Sequence, residues 1–174
     1  WIYLFYEIKE VYFGVYVMQT AKDLIELCKD KHVTVSSCES LTAGLFTSTL
    51  ASIPGASAVL KGGFVTYFTE MKQVMAHVEK DLIDTFGVVS GECAKQMAQN
   101  TREITQSDYC VSFTGNAGPD AMEDKPAGCV FCAIASKDAV KVYHFQYQGL
   151  ERNELRNAGC PRYDQHLAEI IMKE

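Results

Sequence analysis

From Thr20 onward the chain switches repeatedly between the period of a helix and the period of a strand, and this alternation limits its possible folds more than any other feature. Ala21, Leu24, Ile25 and Cys28 are spaced as one buried helical face, and Thr20 can cap its first turn. Residues 33–38 are short and β-branched, which predicts a strand, and residues 42–51 predict a helix that ends before the Pro54-Gly55 turn. A second strand is expected over 59–67, with Gly62 and Gly63 inside it, followed by a helix over 70–86 that Gly87 stops. Ser90 is placed to cap the next helix, which runs to Gln106. Residues 109–114 predict a third strand, and 128–136 with 140–148 predict a hairpin around Lys137-Asp138. A final helix is expected over 151–173, broken near Gly159 and Pro161. Together these elements predict the α/β class, as a three-layer α/β/α sandwich, and the terminal hairpin makes its sheet mixed.

A chain of 174 residues suits one domain with a core that needs no disulfide or metal staple. Its formal charge of -6 argues against nucleic acid as the main partner, because phosphate backbones are bound by clustered Lys and Arg. Seven cysteines, an odd number without a regular framework, fit a reducing compartment, so a cytoplasmic location is expected. Residues 1–17 are rich in aromatics, but Glu7, Lys9 and Glu10 interrupt them and they are too short to cross a bilayer comfortably. They also lack the basic start and small-residue cleavage site of a signal peptide. The expectation is an extension over 1–17, a functional domain over 18–174 and no membrane partner. Cys129 and Cys132 have the spacing of redox and zinc sites, but within a strand they point to opposite faces, which favours packing. His32, His77, His144 and His166 are scattered, so no metal is expected.

Three segments can carry chemistry. Cys38-Glu39-Ser40-Leu41-Thr42-Ala43-Gly44 lies where a strand gives way to a helix, a place where backbone N–H groups can receive an oxyanion or a phosphate. Simple helix capping would use the same residues. Gly62-Gly63-Phe64-Val65-Thr66-Tyr67 leads into Glu70-Met71-Lys72, placing a phenol after a strand and an amine at a helix start; ordinary packing of Tyr67 with a solvated Lys72 is the plainer account. Thr114-Gly115-Asn116-Ala117-Gly118-Pro119 is a glycine-containing loop that a ligand could approach, or a simple turn. Arg152 and Arg156 are four apart, on one helical face, where they could grip a phosphate or remain surface charges.

Glu39-Ser40-Leu41-Thr42-Ala43-Gly44, Gly63-Phe64-Val65-Thr66-Tyr67 with Lys72, Thr114 to Pro119, and Lys125-Pro126-Ala127-Gly128 together resemble, in order and spacing, the CinA C-terminal domain family. The resemblance runs from about Thr20 to Arg156. It implies a cytoplasmic α/β/α domain, oligomeric as is usual in the family, that includes nicotinamide-nucleotide amidases among its members. These convert nicotinamide mononucleotide and water to nicotinate mononucleotide and ammonia without a metal or other cofactor. Carried over by position, the resemblance implies Ser40 as nucleophile with Tyr67 and Lys72 as catalytic partners. It also implies Leu41, Thr42, Ala43 and Gly44, Thr114, Gly115, Ala117 and Gly118, and Arg152 as substrate-binding positions. The sequence departs from the family at Gly149-Leu150-Glu151-Arg152, one residue longer than usual, at Asn116, where an aliphatic residue is usual, and around Gly159-Cys160-Pro161.

Amide hydrolysis needs an activated nucleophile, a stabilised oxyanion and a proton for the leaving nitrogen. Lys72 can serve as base only as a neutral amine, which costs its charged form roughly 4 kcal/mol relative to an ordinary lysine near neutral pH. Pairing with Glu39 would instead keep it charged. Two alternatives stay open: a non-catalytic nucleotide-binding or regulatory domain on the same fold, and a thiol hydrolase using one of the cysteines, such as Cys38.

Overall fold

The structure, a computed structural model, describes residues 21–173, so the Thr20 cap and the 1–17 extension fall outside the described residues. The elements follow in the order α1 (Ala21–Lys31), β1 (Val35–Glu39), α2 (Leu45–Ala51), a 3-10 turn (Ala56–Ala58) and β2 (Leu60–Val65). Next come α3 (Thr69–Ala76), α4 (Lys80–Phe86), α5 (Gly91–Thr105), β3 (Tyr109–Gly115), β4 (Cys129–Ala135), β5 (Val140–Gln146) and α6 (Arg152–Lys173). The strands form one sheet in the order β2-β1-β3-β4-β5. β2, β1 and β3 run parallel, whereas β4 and β5 are antiparallel to their neighbours, so the sheet is mixed as expected.

Helices cover both faces. Leu24 and Ile25 of α1, Phe46 and Leu50 of α2, and Leu167 and Ile171 of α6 pack on Val35, Val111 and Phe113. On the other face Ala76 of α3, Cys93 and Met97 of α5, and the flank of α4 surround Cys38. The one-residue alternation of β1 and β3 therefore feeds two separate cores, the expected three-layer α/β/α sandwich. Cys129 and Cys132 divide between these cores, as their strand spacing requires, and both are buried. Edge strand β2 carries a bulge opposite Val35 and Ser36, where Gly62 at φ +122° takes a conformation that a side chain would oppose.

Three local expectations are corrected. α2 starts at Leu45 rather than residue 42, leaving Ser40 to Gly44 as a tight turn. The helix expected over 70–86 is two helices, because His77 adopts φ 50° and ends α3. Asn100 of α5 donates to the carbonyls of Ala76 and His77, both at 2.9 Å, and so supplies from across the core the cap that no local glycine provides. α6 is continuous through Pro161. An interior proline costs about 3 kcal/mol. Leu155 on one side of it and Leu167, Ile170 and Ile171 on the other are all buried, each contributing roughly 1.5–3 kcal/mol.

From β1 the chain moves outward to β2, then returns past β1 to β3. The carboxyl ends of β1 and β3 thus flank the point where the winding reverses, the usual ligand crevice of open α/β sheets. Ser40 and Asn116 directly follow these two strands.

Candidate active site

Ser40 is held at the end of β1 by its own N–H, which donates to Phe113 O of β3 (2.9 Å). The turn that follows is tight: Ala43 N–H donates to Ser40 O, and Ala43 and Gly44 have φ 51° and 90°. A non-glycine residue in this region stores strain, and such strain clusters at working turns. Among the described residues, the N–H groups of Leu41, Thr42 and Gly44 have no hydrogen-bond acceptor, so this turn can receive an anion.

The first N–H groups of α2 are not part of that capacity. Glu39, fully buried, accepts from Phe46 N–H (3.2 Å), Thr47 N–H (2.9 Å) and the Thr47 hydroxyl (2.7 Å), with Ser37 Oγ at 3.2 Å. The helix start is thus capped by a side chain from the preceding strand. Glu39→Gln would set an amide NH2 against these donors. It is expected to cost about 3 kcal/mol, the upper range for hydrogen bonds to a charged group, and to lower the thermal midpoint by about 9 °C in a melt followed by circular dichroism.

Lys72, in the first turns of α3, reaches inward and is only 1% exposed. Its Nζ donates to Ser40 Oγ (2.9 Å) and to Thr66 O (2.8 Å). Burial lowers its pKa from the usual 10.5, against weaker opposing effects of Cys93, Cys38 and Glu123. Among the described residues it has no carboxylate partner at ion-pair distance. Glu39 is turned to α2 instead, so of the two expected states of Lys72 the geometry matches the uncharged one. A neutral amine can keep its donation to Thr66 O and turn its lone pair to the Ser40 hydroxyl, a geometry suited to taking that proton.

Cys38 cannot compete as nucleophile. Its thiol is fully buried and bonded to Thr66 Oγ1 (3.7 Å), and burial pushes its pKa upward.

Tyr67 lies beyond the end of β2 and is 54% exposed. It makes no hydrogen bond to Ser40 or Lys72 among the described residues; its phenol oxygen accepts from Arg152 Nη2. Arg152 Nη1 also donates to Gly118 O (2.7 Å), joining the start of α6, the β3–β4 loop and the segment after β2. Thr114, expected to meet substrate, is buried and donates to Val88 O (2.6 Å), so it secures the loop rather than presenting a free donor. Gly115 is likewise explained within the sheet, since a Cβ there would sit 2.6 Å from Cys129 O on β4. Asn116 builds the loop: Oδ1 accepts from Gly118 N–H (2.8 Å), and Nδ2 donates to Asp120 O (2.8 Å) and Lys125 O (3.2 Å). An aliphatic side chain could make none of these bonds. Beside Ala117 a cavity of about 440 Å³ opens, walled by Gly128, Tyr147, Leu150 and Leu155.

Arg156 does not point with Arg152 toward a shared anion. Its Nε donates to Leu41 O (3.0 Å) and its Nη2 to Thr42 O (3.1 Å), binding α6 to the turn after Ser40. The sequence hinted at this arginine only through its four-residue spacing from Arg152, and at Glu39 only through adjacency to Ser40; both roles come from contacts across the fold. Among the described residues no group of three or more His, Cys, Asp and Glu could hold a metal, and no helix is long and apolar enough to cross a membrane.

A family model, the CinA C-terminal domain, matches residues 17–169. The chain belongs to the CinA C-terminal domain family. Among relatives, a protein of Bacillus subtilis (strain 168) named for competence-damage induction is 39% identical over 165 residues, which cover 95% of this chain and 39% of that protein. A similarly named protein of Streptococcus gordonii is 44% identical over 136 residues, covering 78% of this chain and 32% of its own length. The chain therefore spans between about a third and two fifths of these relatives. A CinA superfamily protein from Klebsiella pneumoniae 700603 shares the fold, with TM-score 0.85 at 20% identity over 88% of this chain and 96% of that one. A competence/damage inducible protein from Agrobacterium tumefaciens has TM-score 0.80 at 31% identity, covering 94% and 98%.

Proposed function

We propose that this CinA C-terminal domain is a metal-independent amidase that hydrolyses the carboxamide of nicotinamide mononucleotide. The observation that carries the reading is the buried Lys72 amine, 2.9 Å from Ser40 Oγ without a carboxylate to hold its charge. A solvated lysine or a purely capping serine has no need of this arrangement. The resemblance of the motifs to those of nicotinamide-nucleotide amidases supports this substrate, and the exposed Tyr67 and Arg152 at the crevice mouth suit a polar nucleotide.

In this mechanism the neutral amine of Lys72 takes the hydroxyl proton as Ser40 Oγ bonds to the amide carbon. The carbonyl π electrons move to oxygen, and the free N–H groups of Leu41 and Thr42 receive the oxyanion. Arg152 donates to the phenol oxygen of Tyr67, which leaves the phenol proton free to pass to the departing nitrogen, and the C–N bond breaks to release ammonia. Lys72 then gives up its proton and the Tyr67 phenolate regains one, both by exchange with solvent. Water attacks the acyl ester as the neutral Lys72 amine takes a water proton and returns it to Ser40 Oγ while the ester C–O bond breaks, giving the acid, which ionises to the carboxylate, and restoring Ser40. Arg152 uses only part of its five-donor guanidinium on Gly118 and Tyr67, and its remaining N–H groups are proposed to face the phosphate. The domain is proposed to act as a homo-oligomer without a cofactor.

The test is ammonia release from nicotinamide mononucleotide by the full chain, with nicotinate mononucleotide identified as co-product. Both products should form in equal amounts. Nucleotide binding without turnover would favour a non-catalytic domain instead.

A further inference from the structure

Among the described residues, the N–H groups of Leu41 and Thr42 have no acceptor, and they belong to a strained turn running from Ser40 to Gly44. In a trans peptide, the C=O of one residue and the N–H of the next point in opposite directions. The peptides of this turn are trans, since the cis bond among the described residues is Gly118-Pro119. The carbonyl bonded behind each peptide therefore fixes where its N–H points. For the Ser40-Leu41 peptide, Ser40 O is held by Ala43 N–H within the turn, so Leu41 N–H faces outward from it. For the Leu41-Thr42 peptide nothing within the turn plays that part. Leu41 O is held by Arg156 Nε (3.0 Å), and the next carbonyl, Thr42 O, is shared between Arg156 Nη2 (3.1 Å) and Leu45 N–H (3.1 Å).

We infer that Arg156 is a positioning residue for the oxyanion site: its guanidinium holds Leu41 O and so aims Thr42 N–H to join Leu41 N–H at the reacting carbonyl oxygen, while its second bond, to Thr42 O, ties the rest of the turn to α6. The inference rests on the Ser40 reading above and adds to it a residue that touches neither substrate nor the reacting atoms. A cation on the carbonyl side of a peptide also polarises it, strengthening the N–H opposite as a donor. The planar fork matters here, because two carbonyls at fixed separation meet N–H groups on two different guanidinium nitrogens, whereas an ammonium's three donors all radiate from one nitrogen. The half-buried Arg156 is anchored one turn after Arg152, so α6 supplies one arginine to the crevice mouth and one to the back of the turn.

The test measures the rate at which a fluorophosphonate modifies Ser40, followed by intact mass on the full chain. In that reaction Oγ bonds to phosphorus, fluoride leaves, the hydroxyl proton goes to Lys72, and the phosphoryl oxygen occupies the oxyanion position. Arg156→Ala is expected to slow labelling by about 10-fold or more, the lower range for loss of one oxyanion donor. Arg156→Lys should be intermediate, and it carries the test if the alanine variant fails to fold in a thermal melt. With nicotinamide mononucleotide the same variants should lower kcat and leave KM near its original value. Labelling of a folded Arg156 variant at the wild-type rate overturns the clamp alone. Wild-type Ser40 that never labels removes both the nucleophile and the clamp. Wild-type labelling without amide turnover, together with slowed variants, leaves the clamp standing and removes the proposed substrate.

Discussion

Ser40→Ala is expected to lower amide turnover by about 10⁶-fold while leaving nucleotide affinity nearly intact, since a serine hydrolase loses on this order when its nucleophile is removed. Structure gives little reason for collateral damage. The Ser40 N–H bond to Phe113 O and the Ala43 bond to Ser40 O are made by the main chain and survive the substitution. The lost hydroxyl removes one hydrogen bond, to Lys72, whose second bond to Thr66 O remains. Ammonia release and calorimetric titration with the mononucleotide on the same preparation separate the two effects. A variant with near-normal turnover would end the role of Ser40 as nucleophile.

Lys72→Met should lower kcat/KM by about 10³-fold, within the range attributed to a positioned base, and should also change how stability depends on pH. The wild-type rate should rise with pH as Lys72 loses its proton, with a midpoint below the 10.5 of an ordinary lysine because burial opposes the charge. Between that lowered value and 10.5 the unfolded chain holds a proton that the folded chain has released. The unfolded state then binds more protons, so folding stability rises with pH across that window and is least below it, where the fold must accommodate a buried charge. Met fills a similar volume without titrating, so denaturant melts of Lys72→Met should lose this pH-dependent rise. A variant retaining both the alkaline activity limb and the stability slope would assign them to another group.

The fold was legible because its signals are local. The short β-branched stretch at 33–38, helical spacing at Ala21, Leu24, Ile25 and Cys28, and the Lys137-Asp138 turn each declare themselves within a few residues. Misjudged boundaries have distant causes: Glu39 reaches past the turn to cap α2, Asn100 ends α3 at His77, and core burial at both ends carries α6 through Pro161. The site divides in the same way. Ser40, Tyr67 and Lys72 stand in motifs that can be read, yet the pairing of Tyr67 with Arg152 and the use of Thr114 on Val88 are tertiary facts. Nor could composition reveal that Arg156 holds two carbonyls 114 and 115 positions away, since most arginine pairs four apart on a helix are merely surface charges.

The protonation state of Lys72 is the point on which the chemistry turns, and nitrogen-detected NMR of the side-chain amine in uniformly ¹⁵N-labelled protein, assigned with Lys72→Met, reads it without any substrate. A titration midpoint well below 10.5, shifted in Ser40→Ala, is the result this account predicts. An ammonium signal from Lys72 that persists to pH 10.5 would contradict it.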